Sequence, residues 1–363
     1  MKLNQNLKKI LAIKFRAMGD TILATATLNE LRRAYPQAEI HVAVMQQWAP
    51  LLEHHPAVDK IWTYVRHREM TSRAKALTRL AISLRKERYD CVINLHASPS
   101  SAKLSYATGA RLRSIHFHGH KHKNRHSTVT IPDKGVLKPI IERDMDALRA
   151  IGIQVPPGRL PEIHLNGTET EEAAAFVKML QLKGPILAIG LGSSRPTKSW
   201  PVERFAGLAA AWCKEVDGSV LALAGGDESP LTEAFGNKVD EMLSGPERER
   251  VVVRTGLPLR SLAAVISQCS AFVGNDSGPR HLAVAVGLPT ITVFGPEDPF
   301  EWHPYPLESH PYLFVPDLKC RNDAMPGMPP WCGLHTCVVE HHRCMQEIGI
   351  NQVLAECKRV RRQ

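Results

Sequence analysis

Gly274-Asn275-Asp276-Ser277-Gly278-Pro279-Arg280-His281-Leu282-Ala283 is the stretch that decides how the second half of this chain folds. A short apolar run precedes it and an Ala- and Val-rich run follows. This order of strand, polar glycine turn and helix start gathers backbone N–H groups at the positive end of a helix dipole, which suits a phosphate. Pro279 fits the first helical turn, and Gly287 fits the helix end. The segment is also consistent with an ordinary capped helix in which Asp276 is only the N-cap.

The length and composition predict two globular domains. The chain has 363 residues, of which 44% are hydrophobic, enough for each half to bury a core. No apolar run approaches the roughly 20 residues needed to span a bilayer. The amino terminus is basic and runs into a strand candidate without the small-residue cleavage site of a signal peptide. We therefore expect a cytoplasmic protein.

The net charge of +10, from 46 Lys and Arg against 36 Asp and Glu, favours anionic partners. The basic residues gather in residues 66–88, in residues 121–125 and at the carboxyl terminus. None of the usual nucleic-acid-binding motifs is present, so nucleic acid is not expected as a partner. An anionic membrane surface and phosphorylated or carboxylated substrates are the other anionic partners that this charge suits.

Short apolar runs alternate with longer helical patterns along both halves of the chain, which is typical of parallel strands joined by crossover helices. The predicted strands are residues 10–15, 39–44, 60–64, 90–95 and 113–117, and then 186–190, 220–224, 251–254, 271–274 and 290–294. The predicted helices include residues 21–35, 168–182, 202–216, 229–243, 261–268, 280–286 and 352–361. Residues 296–344 are predicted to be irregular.

A Pro- and Gly-rich break at residues 155–161 separates the two halves. The sequence therefore predicts an α/β protein with domains at residues 1–160 and 161–345, followed by a C-terminal helix in residues 346–363. Ligands of open α/β sheets bind beyond the carboxyl ends of the strands. We expect the two sheets to face a cleft between the domains, which is the usual place for an active site.

Two acidic residues follow predicted strands directly. Asp20, in a Gly-Asp pair after the first strand, places a carboxylate at the carboxyl edge of its sheet, where a general base for a hydroxyl belongs. Asp227, after Gly225 and Gly226, is placed to accept hydrogen bonds from ribose hydroxyls. Each has a plainer interpretation, because Asp20 also suits a helix cap and Gly-Gly-Asp is a common turn.

The turn at residues 190–201 combines small, hydroxyl and basic residues. Its glycines let the backbone approach a ligand. Ser193 and Ser194 offer hydroxyl groups, and Arg195 and Lys198 offer positive charge, so the combination suits a diphosphate. The absence of a Walker A pattern argues against a P-loop NTPase. The alternative is a basic loop that leads into the next helix.

Cysteines and histidines cluster in two further segments. Cys320, Cys332, Cys337 and Cys344 lie in one Cys-rich segment, residues 320–344, which is consistent with structural zinc or iron. No C-x-x-C pair is present, and thiols that pack a loop or oxidise are the alternative. The His/Lys/Arg run at residues 116–126 suits a solvated loop that binds an anionic acceptor better than it suits a metal site.

Taken in order, these pieces resemble the ADP-heptose:lipopolysaccharide heptosyltransferases of glycosyltransferase family 9. The resemblance covers nearly the whole chain. It rests on residues 18–21 with 31–36, on residues 193–201 including Lys198-Ser199-Trp200-Pro201, and on residues 275–279 with 281–283 and 295–296. Any one of these pieces is common, but their combination in this order and spacing is specific.

The resemblance implies the GT-B fold, two Rossmann-like domains with the acceptor on the first and the nucleotide sugar on the second. It also implies inverting transfer without a catalytic metal or other required cofactor, with Asp20 as general base and Lys198 on the donor diphosphate. The implied donor-binding residues are Ser193, Ser194, Lys198, Asp227, Leu257, Asp276, Ser277, Gly278 and His281. Arg280 stands where family members often have an apolar or small residue, which leaves its role open.

The implied acceptor is the inner core of lipopolysaccharide, an anionic, lipid-linked oligosaccharide. Basic residues of the first domain are then expected to recognise it: Arg66, Arg111, Arg113, Lys121, Lys123 and Arg125. Because this acceptor is anchored in lipid, we expect a peripheral location at the inner leaflet of the cytoplasmic membrane.

Two other functions fit the same sequence. Some relatives transfer heptose to proteins such as autotransporters, and a Cys-ligated iron site occurs among them. A sugar-nucleotide-binding protein without activity is the other alternative, although the presence of both Asp20 and Lys198 argues against it. The sequence leaves open the donor sugar, the acceptor hydroxyl and the oligomeric state.

Overall fold

The computed structural model describes residues 7–96, 98–116, 125–131, 138–321, 332–338 and 340–362. The chain divides into two compact units, Met1–His164 and Leu165–Gln363. The division falls just after the Pro- and Gly-rich break. The second unit includes the C-terminal helix, which the sequence analysis treats as a separate segment.

The first unit is a five-stranded parallel sheet with helices between the strands. In chain order its elements are β1 Lys9–Lys14, α1 Met18–Ala34, β2 Glu39–Met45, a 3-10 turn at Gln46–Leu52, β3 Lys60–Tyr64, α2 Met70–Lys86, β4 Cys91–Asn94, α3 Pro99–Ala107, β5 Leu112–Ile115 and α4 Ile140–Arg149. The strand order is β3-β2-β1-β4-β5. The central strand β1 pairs with β2 on one side and β4 on the other, and its Ile10, Leu11 and Ile13 are fully buried.

The second unit is a six-stranded parallel sheet of the same kind. Its elements are α5 Gly167–Met179, β6 Ile186–Gly190, a 3-10 turn at Pro196–Lys198, α6 Val202–Glu215, β7 Ser219–Ala224, α7 Ser229–Met242, α8 Gly245–Glu249, β8 Val251–Thr255, α9 Leu259–Ser267, β9 Ala271–Asn275, α10 Gly278–Ala285, β10 Thr290–Phe294, α11 Pro299–Trp302, β11 Tyr312–Phe314, a 3-10 turn at Glu340–His342, α12 Arg343–Gln346 and α13 Ile350–Val360. The strand order is β11-β10-β9-β6-β7-β8.

Each sheet therefore has one point where the chain reverses the direction in which it adds strands. In the first unit this point lies between β1 and β4, and in the second between β6 and β9. The loops that leave the carboxyl ends of two such strands diverge to opposite faces of the sheet, and the crevice between them is where open α/β sheets bind ligands. The strand order alone thus points to one candidate binding edge in each unit.

The core of the second unit shows why its strands are uniformly apolar. Every residue of β6, β9 and β10 is buried, because helices cover both faces of the sheet. The C-terminal helix α13 packs against α6, and its Val353, Leu354 and Cys357 belong to the same buried cluster as Trp212. Removing this helix would expose that cluster to water, which is why it belongs to the second unit.

Each predicted strand and each predicted helix overlaps an element of the same kind in the structure, whereas α2, α3, α4, α8 and α12 match no predicted helix. Helix α1 begins at Met18 rather than at residue 21, so Asp20 lies in its first turn and not in a loop. Helix α10 begins at Gly278 with Ser277 at the N-cap position, so Asp276 is not the cap. The segment predicted to be irregular contains α11 and the edge strand β11.

Among the described residues, no helix combines the length and the apolar character that crossing a bilayer requires.

Gly287, with a φ of +75°, follows the carboxyl end of α10 as the sequence predicts.

Candidate functional site

The binding edge of the second unit is built by the loops that follow β6 and β9. Asn275, at the end of β9, is fully buried and ties the two loops together. Its amide nitrogen donates to the Leu191 carbonyl at 2.9 Å, and its amide oxygen accepts from the Trp200 backbone N–H at 2.8 Å. The side chains of the two loops are therefore held beside one another at the point where the strand order reverses.

Lys198 and Asp276 meet across this edge. The Lys198 ammonium forms an ion pair with Oδ2 of Asp276, and both side chains are largely buried. The other carboxylate oxygen, Oδ1, accepts from Arg280 Nη2 at 2.6 Å and from Arg280 Nε at 3.1 Å. Burial alone would raise the pKa of Asp276, but the charges of Arg280 and Lys198 outweigh it and hold that pKa well below its usual range.

Hydroxyl groups and a helix start complete the edge. Ser193 Oγ lies 2.7 Å from Ser199 Oγ and donates to the Arg195 carbonyl at 2.7 Å. Ser277 Oγ is buried and has no hydrogen-bond partner among the described residues. It stands at the N-cap of α10, where the dipole of the helix favours an anion. A buried hydroxyl without a hydrogen-bond partner at the start of a helix is suited to hydrogen-bond an anionic ligand.

His281, one turn into α10, is buried and its Nδ1 is hydrogen-bonded to the Tyr305 hydroxyl. Burial, reinforced by the Arg280 charge, holds the pKa of His281 well below its usual range. The imidazole is therefore neutral at physiological pH. It contributes a hydrogen-bonding group to the site rather than a positive charge.

The loops after β7 and β8 flank the same edge. Asp227 is exposed, whereas the Glu228 carboxylate accepts from the Gly225 N–H at 2.5 Å and lies directly against Gly192. A β-carbon at Gly192 would clash with that carboxylate. The acid next to the loop after β6 is therefore Glu228. The sequence pattern predicts the neighbouring Asp227 for the ribose, and the two positions differ in their burial.

Two other predicted donor-binding residues lie in the more exposed part of these loops. Ser194 is exposed, and Leu257 is half-buried in the loop between β8 and α9. A β-carbon built on Gly226 would lie 3.6 Å from Gly256 Cα, so the loops after β7 and β8 touch beside Leu257.

The binding edge of the first unit carries Asp20. Its Oδ1 lies 3.7 Å from Arg16 Nε and 4.0 Å from Lys14 Nζ. The same oxygen is buried and has no hydrogen-bond partner among the residues that the structure describes. The side chain is 13% exposed, and the carboxylate can accept a hydrogen bond from an incoming hydroxyl.

Lys14 was not selected from the sequence, yet it is one of the most buried charged residues of the first unit. Its ammonium group donates to Oδ2 of Asp144 in α4 at 2.6 Å. Burial raises the pKa of Asp144, although Lys14 partly offsets this. The pair places the Lys14 ammonium group 4.0 Å from Oδ1 of Asp20.

The predicted acceptor-binding residues are spread over the first unit. Arg66 is exposed and follows β3, so it lies at the same edge of the sheet as Asp20. Arg111 is exposed just before β5, which places it at the opposite edge. Arg113 donates from Nε to the His126 carbonyl at 2.8 Å and packs on the Tyr106 ring. Arg125 is exposed, and Lys121 and Lys123 lie outside the described residues.

The four clustered cysteines do not form a ligand set in the described part of the chain. Cys320 is exposed and the other three are half-buried. Among the described residues, Glu39, His41 and Glu87 have side-chain atoms close enough to one another to bind a metal ion. They lie at the amino-terminal ends of the strands of the first sheet, whereas the clustered cysteines belong to the second unit. Zinc or iron at the cysteines stays a prediction.

The fold and these sites define a class. Two Rossmann-like α/β units, one with a buried lysine–aspartate pair at its binding edge and the other with an aspartate at its own, are the architecture of a GT-B glycosyltransferase. A model of the family "Glycosyltransferase family 9 (heptosyltransferase)" matches residues 77–319. The chain belongs to glycosyltransferase family 9, and the predicted family and GT-B fold class are confirmed.

Individual relatives agree with this assignment. The chain is 26% identical over 304 residues to lipopolysaccharide heptosyltransferase 3 of Escherichia coli (strain K12), covering 80% of this chain and 83% of that one. It is 29% identical over 296 residues to lipooligosaccharide heptosyltransferase 2 of Haemophilus influenzae, covering 78% and 82%. The solved structure of E. coli ADP-heptose lps heptosyltransferase II matches with a TM-score of 0.71 at 22% identity, covering 97% and 98%.

Proposed function

We propose that this protein is an inverting heptosyltransferase that moves a heptose from ADP-heptose to a hydroxyl of the lipopolysaccharide inner core. The observation that carries the proposal is the ion pair between Lys198 and Asp276 at the binding edge of a sheet in a chain of glycosyltransferase family 9. The acceptor is inferred from the relatives, which are lipopolysaccharide and lipooligosaccharide heptosyltransferases.

The second unit would bind the donor. Lys198, Ser277 and the start of α10 would contact the diphosphate, and they would stabilise the charge that builds on the leaving ADP. Glu228 would accept hydrogen bonds from the ribose hydroxyls in place of the predicted Asp227. Leu257 lies beside these loops and would contact the adenine.

The first unit would bind the acceptor and supply the base. Asp20 would take the proton from the acceptor hydroxyl as that oxygen attacks the anomeric carbon, the bond to the ADP oxygen breaks, and the configuration inverts. Arg66 lies at the same edge and would contact the anionic acceptor. The proposed mechanism does not use a metal.

The activity is tested by incubating the protein with ADP-heptose and a lipopolysaccharide core that lacks heptose, with mass spectrometry of the product. The expected result is the mass of one heptose added to the core, with release of one ADP. Addition of the same heptose mass to an autotransporter protein instead of the core would favour the protein-acceptor alternative. Binding of ADP-heptose without transfer to either acceptor would favour the non-catalytic alternative.

We further propose that the first unit contacts an anionic membrane surface through α2. This helix contains five basic residues and no acidic one. Its exposed side includes Lys75, Arg79, Met70 and Ile82, the last two being 77% and 54% exposed. Basic residues with interspersed apolar side chains are typical of helices that lie on anionic lipid.

The α2 proposal is tested by co-sedimentation with vesicles that contain phosphatidylglycerol. The double variant Lys75→Glu/Arg79→Glu should bind at least about tenfold more weakly, since each basic residue near such a surface contributes about 1 kcal/mol. The control, Lys214→Glu/Lys238→Glu, makes the same charge change in the second unit and should bind like the wild type. Equal loss in both variants, or no vesicle binding by the wild type, would count against α2 as the contact.

A further inference from the structure

Arg280 is the feature of the donor site that the proposed function leaves unexplained. Its side chain is completely buried, so it is not placed to contact a ligand directly. Burying a guanidinium is costly unless the charge is compensated and the N–H groups are hydrogen-bonded. The structure must therefore provide partners for this side chain, and their arrangement indicates what the arginine does.

Every part of the guanidinium has a defined neighbour. Nη2 and Nε donate to Oδ1 of Asp276, and Nη2 also donates to the Trp302 carbonyl at 2.7 Å. Nη1 lies 3.4 Å from His303 Nδ1. His303 Nε2 lies 2.6 Å from the His310 carbonyl, so this nitrogen carries the proton and Nδ1 is the acceptor that faces Arg280. The arrangement fixes the guanidinium on one oxygen of Asp276.

Aromatic rings close the remaining sides. The guanidinium carbon lies 5.0 Å from the centroid of the Phe294 ring and 5.9 Å from that of Tyr305. These contacts keep water away from the arginine and add attraction between the cation and the ring faces. Arg280 is consequently held on Asp276 independently of Lys198, which approaches the carboxylate from its other oxygen.

The charges at this position do not cancel. Lys198, Asp276 and Arg280 together carry one net positive charge, whereas Lys198 and Asp276 alone would carry none. If Lys198 turned towards a diphosphate in a site without Arg280, the Asp276 carboxylate would be left buried and uncompensated. Breaking a buried ion pair in this way is strongly unfavourable.

We propose that Arg280 is a positioning residue that compensates Asp276 and thereby allows Lys198 to transfer from this carboxylate to the donor diphosphate. The inference rests on the proposed function for the identity of the ligand. It goes beyond that function because it gives Arg280, which contacts no substrate, the role of compensating the charge of the buried Asp276 carboxylate. Asp276 then orients Lys198 in the free protein without competing for it in the complex.

The test is calorimetric titration of ADP, and separately of inorganic pyrophosphate, into four proteins: wild type, Arg280→Met, Asp276→Asn and the double variant. Arg280→Met should weaken the binding of both ligands by about tenfold or more, because Lys198 stays on Asp276. The double variant removes the carboxylate that retains Lys198, so it should bind both ligands more tightly than Arg280→Met alone. Arg280→Lys, which keeps the charge, should fall between wild type and Arg280→Met.

Three results would overturn the inference. One is equal affinity of wild type and Arg280→Met. Another is a double variant that binds no better than Arg280→Met. The third is a lower binding stoichiometry of Arg280→Met with an unchanged affinity. A purely structural role of Arg280 would reduce the fraction of folded, binding-competent molecules and nothing else. If Arg280→Met does not fold, the comparison of Arg280→Lys with wild type decides. Failure of the wild type to bind either ligand would instead refute the proposed function.

Discussion

Lys198 and Arg280 contact the two oxygens of the same carboxylate, and this arrangement is the clearest feature of the second unit at the scale of single residues. The sequence marks Lys198 by its positive charge in a turn after a strand, and the family resemblance implies that Asp276 belongs to the donor site. It did not identify the role of Arg280. A basic residue four positions after Asp276 on a helix is a common surface pattern, and only the fold shows that this one is buried.

Replacing Lys198 by alanine should weaken ADP binding by about 10- to 100-fold, since a hydrogen bond to a charged group contributes about 1.5–3 kcal/mol. Isothermal titration calorimetry measures this directly. Lys214→Ala, which removes an exposed lysine of the same unit, should leave the affinity unchanged. Wild-type affinity in Lys198→Ala would show that the ammonium does not contact the nucleotide.

Two buried histidines make the stability of the second unit depend on pH. Burial lowers the pKa of His310 to about 4, and burial together with the Arg280 charge lowers that of His303 to about 3. The unfolded chain takes up these protons near pH 6.5, whereas the folded chain does not. Stability should therefore be lost as the pH falls from about 6.5 towards the folded pKa values.

Between pH 7.5 and 5.5 the expected loss is about 1 kcal/mol for each of the two histidines, measured by urea unfolding at a series of pH values. His310→Asn cannot take up the proton and can still accept from the Thr290 hydroxyl, which lies 3.0 Å from His310 Nδ1. Its free energy of unfolding should change less steeply with pH than that of the wild type. An unchanged slope in the variant would contradict the assignment.

At the scale of elements, the alternation of strands and helices predicts the first sheet and five of the six strands of the second. The predicted strands are all present, because runs such as β6 and β9 are apolar throughout and end in glycine or polar turns. The edge strand β11 was not predictable, since Tyr312–Phe314 is short and lies between loops rich in proline and histidine. Helix α1 begins three residues before the predicted residue 21.

The side chain of Asn275 joins two of these elements, and its role also required the fold. Asn275→Ala should lower the free energy of unfolding by about 2–4 kcal/mol, since the Leu191 carbonyl and the Trp200 N–H lose a buried partner. Because the loops after β6 and β9 would no longer be tied together, ADP affinity should fall as well. Chemical denaturation and titration of ADP measure the two effects.

Asn166→Ala provides the matched control for that variant. Asn166 caps α5, where its side chain accepts from the Glu169 N–H. Its loss should cost about 1 kcal/mol of stability and leave ADP affinity unchanged. If Asn275→Ala lowered stability without affecting affinity, the proposed link between loop position and donor binding would be wrong.

At the scale of the whole molecule, the two units have different proposed roles. In the proposed function, the second unit binds the donor, and the first binds the acceptor and supplies the base. The second unit has the cations, hydroxyl groups and helix start that suit ADP. The first has a buried carboxylate oxygen on Asp20 that no described residue hydrogen-bonds, near the pair formed by Lys14 and Asp144. The sequence predicted Asp20 from its position after β1. The charged pair near it was not predictable, because Asp144 is far along the chain and no local pattern marks it.

The most direct measurement of this claim is the rate of ADP release from ADP-heptose in the presence of acceptor, compared between wild type and Asp20→Asn. Asn keeps the size of the side chain but cannot take up a proton, and general-base catalysis contributes typically about 10²–10⁴ in rate. Turnover should fall by at least about 100-fold in Asp20→Asn while ADP affinity stays at the wild-type value. Undiminished turnover in Asp20→Asn would show that Asp20 is not the general base.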